Sequence, residues 1–279
     1  MEPDPGHAGV GRKFRFYCFS IPSSGLFPSG GGKMLSISNL SKRFEDLVVL
    51  DDFSLQVPRN GFTVLIGPSG CGKSTLFDVL TGVEEKDKGD ISWLGKQMPD
   101  LSRKAAYMQQ NDLLLPWLSL VENSLLPAKI AGTDRREAKK QADALFERLG
   151  LQGFEDYLPA KVSGGMRQRC ALVRTIMFEQ ELVLLDEPLS ALDAITRRSL
   201  QSLLLLLQSE FKKSLLMITH DVEEALLVAD ELIVLTSSPM GIHEKIRIPD
   251  RKPRSASDPK LIKLKEEILE RLQEDPEID

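Results

Sequence analysis

The amino-acid sequence predicts an α/β fold in which a helical segment interrupts a parallel core sheet. Three short apolar runs, 62–66, 182–185 and 215–218, are flanked by polar residues, as is typical of central strands in a parallel sheet. Residues 112–178 lie between the first two runs, lack strong strand signals and carry helical periodicity. In the clearest helix, predicted over 136–149, one face collects Ala142, Leu145, Phe146 and Leu149.

The elements before this core are predicted to be mostly strands. Hydrophobic alternation over residues 35–38 and again over 54–57 indicates half-buried strands. The run at 62–66 ends at Gly67, and a helix is expected from Lys73 to about residue 80.

The two ends of the chain differ from its middle. Residues 1–33 are dominated by Pro, Gly and Ser, which predicts a disordered arm or a segment upstream of a natural start at Met34, with a folded cap as the alternative. Residues 34–250 are predicted to form the globular domain, and 251–279 a tail. The basic run 251–254 is expected to be solvated. A tail helix over 260–273 should dock back through Leu261, Leu264, Ile268 and Leu272.

Composition restricts the classes of function. The 279 residues are 42% hydrophobic and 28% charged, with a net charge of -5, which argues against a protein held mainly on nucleic acid. The cysteines Cys18, Cys71 and Cys170 are odd in number and lack metal-ligand spacing, so a reducing, cytoplasmic compartment is expected. No run approaches the roughly 20 apolar residues that cross a bilayer. Any membrane role is therefore expected to come through partners.

The strongest chemical signal is a phosphate-binding loop between a predicted strand and a predicted helix. In this setting backbone amides and the helix N-terminus cradle phosphate oxygens. Lys73 is expected to reach the β- and γ-phosphates of ATP, Ser74 to ligate Mg²⁺ and Thr75 to donate to the α-phosphate. The predicted loop residues are Gly67, Pro68, Ser69, Gly70, Cys71, Gly72, Lys73, Ser74 and Thr75.

Two further strand ends carry candidate catalytic groups. Asp186 and Glu187 follow the second apolar run; successive strand residues point apart, so Asp186 is predicted to face hydrated Mg²⁺ and Glu187 an attacking water. His220 follows the third run and is predicted to contact both the γ-phosphate and Glu187. Without the phosphate loop, a solvated acidic turn and a histidine satisfied by backbone would be the ordinary interpretations.

A third motif, Ser163-Gly164-Gly165, stands about ninety residues after the phosphate loop. On its own it is a common turn or helix cap. Placed at the start of a helix predicted over 167–178, its glycine amides would form an anion site. Its meaning depends on the neighbouring motifs.

Taken in order, these motifs resemble the ATP-binding cassette (ABC) ATPases from Met34 to about residue 240. The resemblance implies a P-loop NTPase with a RecA-like core, an antiparallel β subdomain and an inserted α-helical subdomain at about 112–178. It also implies a head-to-tail homodimer in which the Ser163 motif of one subunit faces the γ-phosphate held by the other. Met166 and Val162 depart from the usual glutamine and leucine of that motif, which suggests altered tuning rather than lost binding.

The resemblance assigns further roles by position. Phe44 would stack on adenine, whereas Phe53 is expected in the core. Gln110 would contact Mg²⁺ and water, making it catalytic together with Glu187, His220 and Lys73; Asp186 would bind the metal through water. The implied dimer interface comprises Ser190, Ala191, Leu192 and Asp193.

Residues 112–117 resemble the importer branch that handles nitrate, sulfonates, taurine and related small solutes. In that interpretation the exposed apolar stretch receives a membrane permease subunit; alternatively, it only caps the helical insertion. The predicted protein is then a peripheral ATPase on the cytoplasmic face of the membrane, indirectly served by a solute-binding protein. The alternatives are a soluble ABC protein acting on ribosomes or DNA and a nucleotide-gated scaffold with negligible turnover.

Overall fold

The computed structural model describes residues 32–190, 192–237 and 239–274. Residues 1–31, and with them most of the predicted N-terminal arm, lie outside the described residues. A short 3-10 turn at Pro159–Lys161 precedes the helix that begins at Gly164. The helices and strands are, in chain order, β1 (Lys33–Phe44), β2 (Leu47–Pro58), β3 (Phe62–Ile66), α1 (Lys73–Thr81), β4 (Lys88–Trp93), β5 (Lys96–Met98), β6 (Ala105–Met108), α2 (Leu120–Ala131), α3 (Arg135–Arg148), α4 (Gly164–Ile176), β7 (Leu182–Asp186), α5 (Ala194–Ser209), β8 (Ser214–Ile218), α6 (Val222–Val228), β9 (Glu231–Leu235), β10 (Ile242–Arg247) and α7 (Pro259–Glu274).

A four-stranded antiparallel sheet in the order β2-β1-β4-β5 forms one layer. The predicted alternation is confirmed in β2, where Leu55 and Val57 are buried and Ser54 and Gln56 are exposed. Phe53 is also buried, as expected. Because one face of this sheet packs on the core and the other meets solvent, its strands alternate between apolar and polar residues.

The second sheet has the order β10-β9-β3-β8-β7-β6 and supplies the core of the molecule. The predicted apolar runs become β3, β8 and β7, which pair in parallel, and all five residues of each strand are buried. Parallel pairing aligns Leu65 and Asp186 with the same residue of β8, Ile218. The loops after all three strands therefore meet at one edge of the sheet.

The helical insertion is present, with shifted boundaries. The helix predicted over 136–149 lies at Arg135–Arg148, and its predicted apolar face is buried. The helix predicted over 167–178 instead begins at Gly164 and ends at Ile176. It starts earlier because the Ser163 side chain accepts a hydrogen bond from Met166 N (3.3 Å), which caps the helix at the motif itself.

The C-terminal helix α7 docks on the domain as predicted, with Leu261 and Ile268 buried. The basic run 251–254 was expected to be solvated, which was wrong for Lys252 and Arg254, because both are half-buried. Arg254 donates from Nη1 to the carbonyls of Leu226 (2.8 Å) and Ala229 (2.7 Å) at the end of α6, because helix-terminal carbonyls lack intrahelical partners. Among the residues that the structure describes, no helix is long and apolar enough to cross a membrane.

Candidate active site

The phosphate-binding loop connects β3 to α1 at the shared sheet edge. Gly70 and Gly72 have φ values of 82° and 108°, a region that favours glycine, and a Cβ on Gly72 would lie 2.5 Å from Val49 Cγ1. Lys73 Nζ donates to the carbonyls of Gly67 (2.9 Å) and Pro68 (2.6 Å), so the ammonium lies within the loop. The first N–H groups of α1 have no intrahelical acceptor and suit an anion.

The cysteine in this loop is buried. Cys71 is 2% exposed, and its Sγ lies 3.6 Å from Lys73 Nζ. By contrast, Ser69, Gly70 and Ser74 are exposed. The structure thus brings the predicted loop residues together around one lysine.

Ser74 and Asp186 meet across the sheet edge, as expected for residues that hold a metal ion. Ser74 Oγ donates to Asp186 Oδ2 at 2.8 Å, and Asp186 is 3% exposed. Burial raises the pKa of Asp186, and the hydrogen bond from Ser74 opposes that rise. A hydroxyl beside a carboxylate fits Mg²⁺, which takes few protein ligands and completes its shell with phosphate oxygens and water. The described residues accordingly contain no cluster of three His, Cys, Asp or Glu that could hold a metal alone.

The Glu187 carboxylate contacts two of the other three predicted catalytic side chains. Its Oε2 accepts a hydrogen bond from Gln110 Nε2 at 3.1 Å, and its Oε1 lies 3.1 Å from His220 Nδ1. Its side chain is 18% exposed, whereas that of His220 is 59% exposed. The arrangement leaves a partly enclosed carboxylate, contacted from two sides, at the same edge of the sheet as the phosphate loop.

The backbone of Glu187 is held in a conformation that non-glycine residues seldom adopt. Its φ is 47°. Its N–H donates to Ile218 O at 3.0 Å, and its carbonyl accepts from Ser190 Oγ at 3.0 Å and Gln168 Nε2 at 3.1 Å. Sequence reasoning missed Gln168, whose only signal is a polar residue at a buried helical position between two arginines.

Ser163, Gly164 and Gly165 lie at the N-terminus of α4, and the first two are exposed. Phe44 is 41% exposed, and Lys42 Nζ lies 4.6 Å from the centroid of its ring. Phe44 thus presents an exposed ring that has a cation over one face.

The four residues expected at a dimer interface have different environments. Ser190 and Asp193 are exposed, and Asp193 Oδ1 caps α5 by accepting from Ile195 N (3.0 Å) and Thr196 N (3.0 Å). Leu192 is 6% exposed and packs in the core of its own chain. Ala191 lies outside the described residues.

A phosphate loop, a Ser–Asp pair and an oriented carboxylate at one edge of a parallel sheet define a nucleotide hydrolase of the P-loop class. A sequence profile of the family described as ABC transporter matches residues 50–190. The chain belongs to the ABC transporter family and is one of its ATPases. The predicted family, fold and enzyme class are thereby confirmed.

The sequence is similar to those of importer ATP-binding proteins over most of the chain. The formylaminopyrimidine import ATP-binding protein ThiZ of Halalkalibacterium halodurans is 41% identical over 201 residues, 72% of this chain and 78% of ThiZ. The aliphatic sulfonates import ATP-binding protein SsuB 2 of Burkholderia cenocepacia is 34% identical over 252 residues, 90% of each chain. A dimeric structure of the ATP-binding cassette MJ0796, in a post-hydrolysis state with ADP and Pi, superimposes with a TM-score of 0.71 at 25% identity, covering 77% of this chain and 98% of that one.

Proposed function

We propose that this chain is the ATP-hydrolysing subunit of an importer for a small solute, with Glu187 as the general base. The observation that carries the proposal is the contact of one carboxylate with both Gln110 and His220, at 3.1 Å each, beside the phosphate loop. A base must lie within hydrogen-bond reach of the water that it activates, and these partners fix the direction in which Glu187 can reach.

The chain's own groups would position ATP before the attack. Phosphate oxygens would replace the carbonyls of Gly67 and Pro68 as acceptors for Lys73, while the α1 amides and Thr75 bind the remaining oxygens. Ser74 and Asp186 would hold Mg²⁺, Asp186 through water, with Gln110 nearby. When bound, the metal neutralises charge on the β- and γ-phosphate oxygens. Phe44 would cover the adenine.

Glu187 would orient a water in line with the γ-phosphorus and accept its proton as the oxygen–phosphorus bond forms and ADP leaves. Gln110 donates to one carboxylate oxygen and would help to keep the base directed at the γ-phosphate. His220 would bridge the other oxygen to the transferred phosphoryl group, for which its exposed ring is available. Because little covalent chemistry is required of the protein, positioning accounts for most of the catalysis.

The proposal includes a second copy of this chain. Ser163, Gly164 and Gly165 would meet the γ-phosphate held by the other subunit, with Ser190 and Asp193 at the interface. The exposure of Ser163 and Gly164 at a helix N-terminus supports this arrangement. The dimeric MJ0796 cassette is a fold relative with that stoichiometry.

The membrane partner would be a permease subunit that docks on residues 112–117. Leu113 and Trp117 are 54% and 71% exposed, so this short stretch presents two large apolar side chains to a partner. The stretch is anchored to α4, since Arg174 Nη1 donates to Leu113 O at 2.8 Å. The chain would then lie on the cytoplasmic face of the membrane and serve a solute of the nitrate, sulfonate or taurine type. ThiZ and SsuB 2 are import proteins, which supports a role in transport over one on ribosomes or DNA.

Replacing Glu187 by Gln tests the base. Glu187→Gln keeps the size of the side chain and one acceptor oxygen but cannot accept a proton, so phosphate release should fall at least about 100-fold with ATP binding retained. Glu147→Gln, on the exposed face of α3, is the matched control and should hydrolyse ATP normally. Equal rates in wild type and Glu187→Gln would remove Glu187 from this role.

A further inference from the structure

Gln168 lies on α4 five residues beyond Ser163 and is 5% exposed. Its Nε2 donates to the Glu187 carbonyl at 3.1 Å, whereas its Oε1 accepts no hydrogen bond from the residues that the structure describes. A buried acceptor without a partner destabilises a fold, and an apolar side chain of similar size would fit better. The amide is therefore better explained by the contact that it makes with Glu187 than by core packing.

The contact reaches a backbone that needs support. Glu187 adopts a φ of 47°, a conformation that persists only where the surrounding structure constrains it. Its amide is tied to β8 through Ile218 O, while its carbonyl is tied to α4 through Gln168. Rotation of this peptide would swing the Glu187 carboxylate away from Gln110 and His220.

The same helix also holds the loop that carries the other contact to Glu187. Arg167 Nε lies 2.9 Å from Asp112 Oδ2, and Arg174 donates to the backbone of the same loop. Asp112 is two residues beyond Gln110. Helix α4 is thus linked to Glu187 directly through Gln168 and indirectly through the loop of Gln110.

We propose that Gln168 is a positioning residue that couples the two ATP sites of the dimer. The proposal rests on the proposed function, in which the Ser163 end of α4 contacts the nucleotide held by the partner subunit. Gln168, on the same helix, then sets the peptide of Glu187 in its own subunit. When Ser163 contacts the nucleotide held by the partner, α4 and Gln168 thereby orient Glu187 at the ATP site of their own subunit.

Heterodimers of the full-length chain with two purification tags separate this role from a structural one. One subunit carries Glu187→Gln, so that only the Glu187 of the other subunit can act. Gln168→Met is then placed either on the subunit with the active Glu187 or on its partner. If Gln168 positions Glu187, Gln168→Met on the subunit with the active Glu187 should lower kcat about tenfold. The same change on the partner should lower kcat by no more than about twofold. The KM for ATP should be unchanged in both cases.

A larger loss with Gln168→Met on the partner, or equal losses in the two cases, would overturn the proposal. A change that only distorted α4 would instead lower activity at the site that its own Ser163 completes, which is the site of the other subunit. Thr175→Val, on the same helix and 3% exposed, is the control for a buried polar group and should leave kcat unchanged. Melting temperatures check folding, with Gln168→Leu as a second variant. The reference is the heterodimer that carries Glu187→Gln on one subunit and no change at Gln168. If it hydrolyses ATP no faster than the dimer with two Glu187→Gln subunits, the proposed function is overturned, and the role of Gln168 with it.

Discussion

At the scale of single residues, exposure separates side chains that stabilise the chain from those available to partners. In the stretch 112–117, Leu114 is 7% exposed and belongs to the core, whereas Trp117 is 71% exposed. The sequence presents both only as apolar residues. Since Trp117 contributes little to the core, its replacement should affect docking more than folding.

Trp117→Ser should weaken recovery of the permease. Tryptophan truncation at the centre of an interface costs about 2 kcal/mol, or about 30-fold in affinity. The measurement is the amount of multi-span membrane protein that copurifies with the tagged chain from detergent-solubilised membranes. Val83→Ser, which is 62% exposed on the loop after α1, should not change it. Recovery of ribosomes or DNA in place of a permease would defeat the transport assignment.

At the scale of elements, the tail is fixed to the domain by the half-buried cations of Lys252 and Arg254. Lys252 Nζ lies 2.6 Å from Asp230 Oδ1 and donates to Gln208 Oε1 at 2.9 Å, joining the tail to the ends of β9 and α5. Asp230 also accepts from Phe62 N at 2.9 Å, at the start of β3. The tail therefore has a specific attachment to the core sheet in addition to the apolar face of α7.

The attachment should give the stability of the protein a characteristic pH dependence. Burial, partly opposed by Asp230, lowers the pKa of Lys252 from 10.5 to about 8. Between these values the unfolded chain binds a proton that the folded chain does not, so the free energy of unfolding gains a contribution as the pH rises. This contribution to the free energy of unfolding is fully present above pH 10.5 and is lost as the pH falls through about 8.

Denaturant unfolding of wild type and Lys252→Met at several pH values measures this contribution. The stability of wild type relative to the variant should increase from about pH 8 to about pH 10. Lys265→Met is a control of opposite sign, because the hydrogen bond to Glu223 raises the pKa of Lys265 and its contribution decreases at high pH. A constant difference between wild type and Lys252→Met would contradict the assignment.

At the scale of the whole molecule, one chain carries the phosphate loop and the Ser163 motif, which are the two halves of the proposed composite site. The phosphate loop and Glu187 would serve the nucleotide in their own subunit, whereas Ser163 would serve that in the partner. A change at Ser163 should therefore separate ATP binding from hydrolysis.

Ser163→Arg introduces bulk at the proposed interface and removes the cap of α4. ATP affinity of the monomer should stay within about twofold, while hydrolysis falls to background and its cooperativity with ATP concentration disappears. Asp134→Ala removes the cap of α3 and controls for the loss of a helix cap, which costs about 1 kcal/mol, without affecting hydrolysis. Normal hydrolysis by Ser163→Arg would contradict the sandwich of two subunits.

The sequence by itself determined the elements and the order of the motifs. Strands β3, β7 and β8 were predictable because a buried strand needs a continuous apolar run, and the phosphate loop because its glycines and lysine are local requirements. Asp186, Glu187 and His220 were found because each lies at the end of such a strand or within two residues of it. Each of these signals is local, since it depends only on a strand and the few residues that follow it.

Only the tertiary structure decided which groups support those residues. Gln168 contacts Glu187 from 19 residues away, and Arg254 contacts the end of α6 from 28 and 25 residues away. Neither pairing leaves a local pattern, because the position of a hydrogen-bond donor depends on how helices pack and not on spacing along the chain. The left-handed backbone of Glu187 likewise follows from its surroundings, since nothing in a glutamate at a strand end requires a φ of 47°.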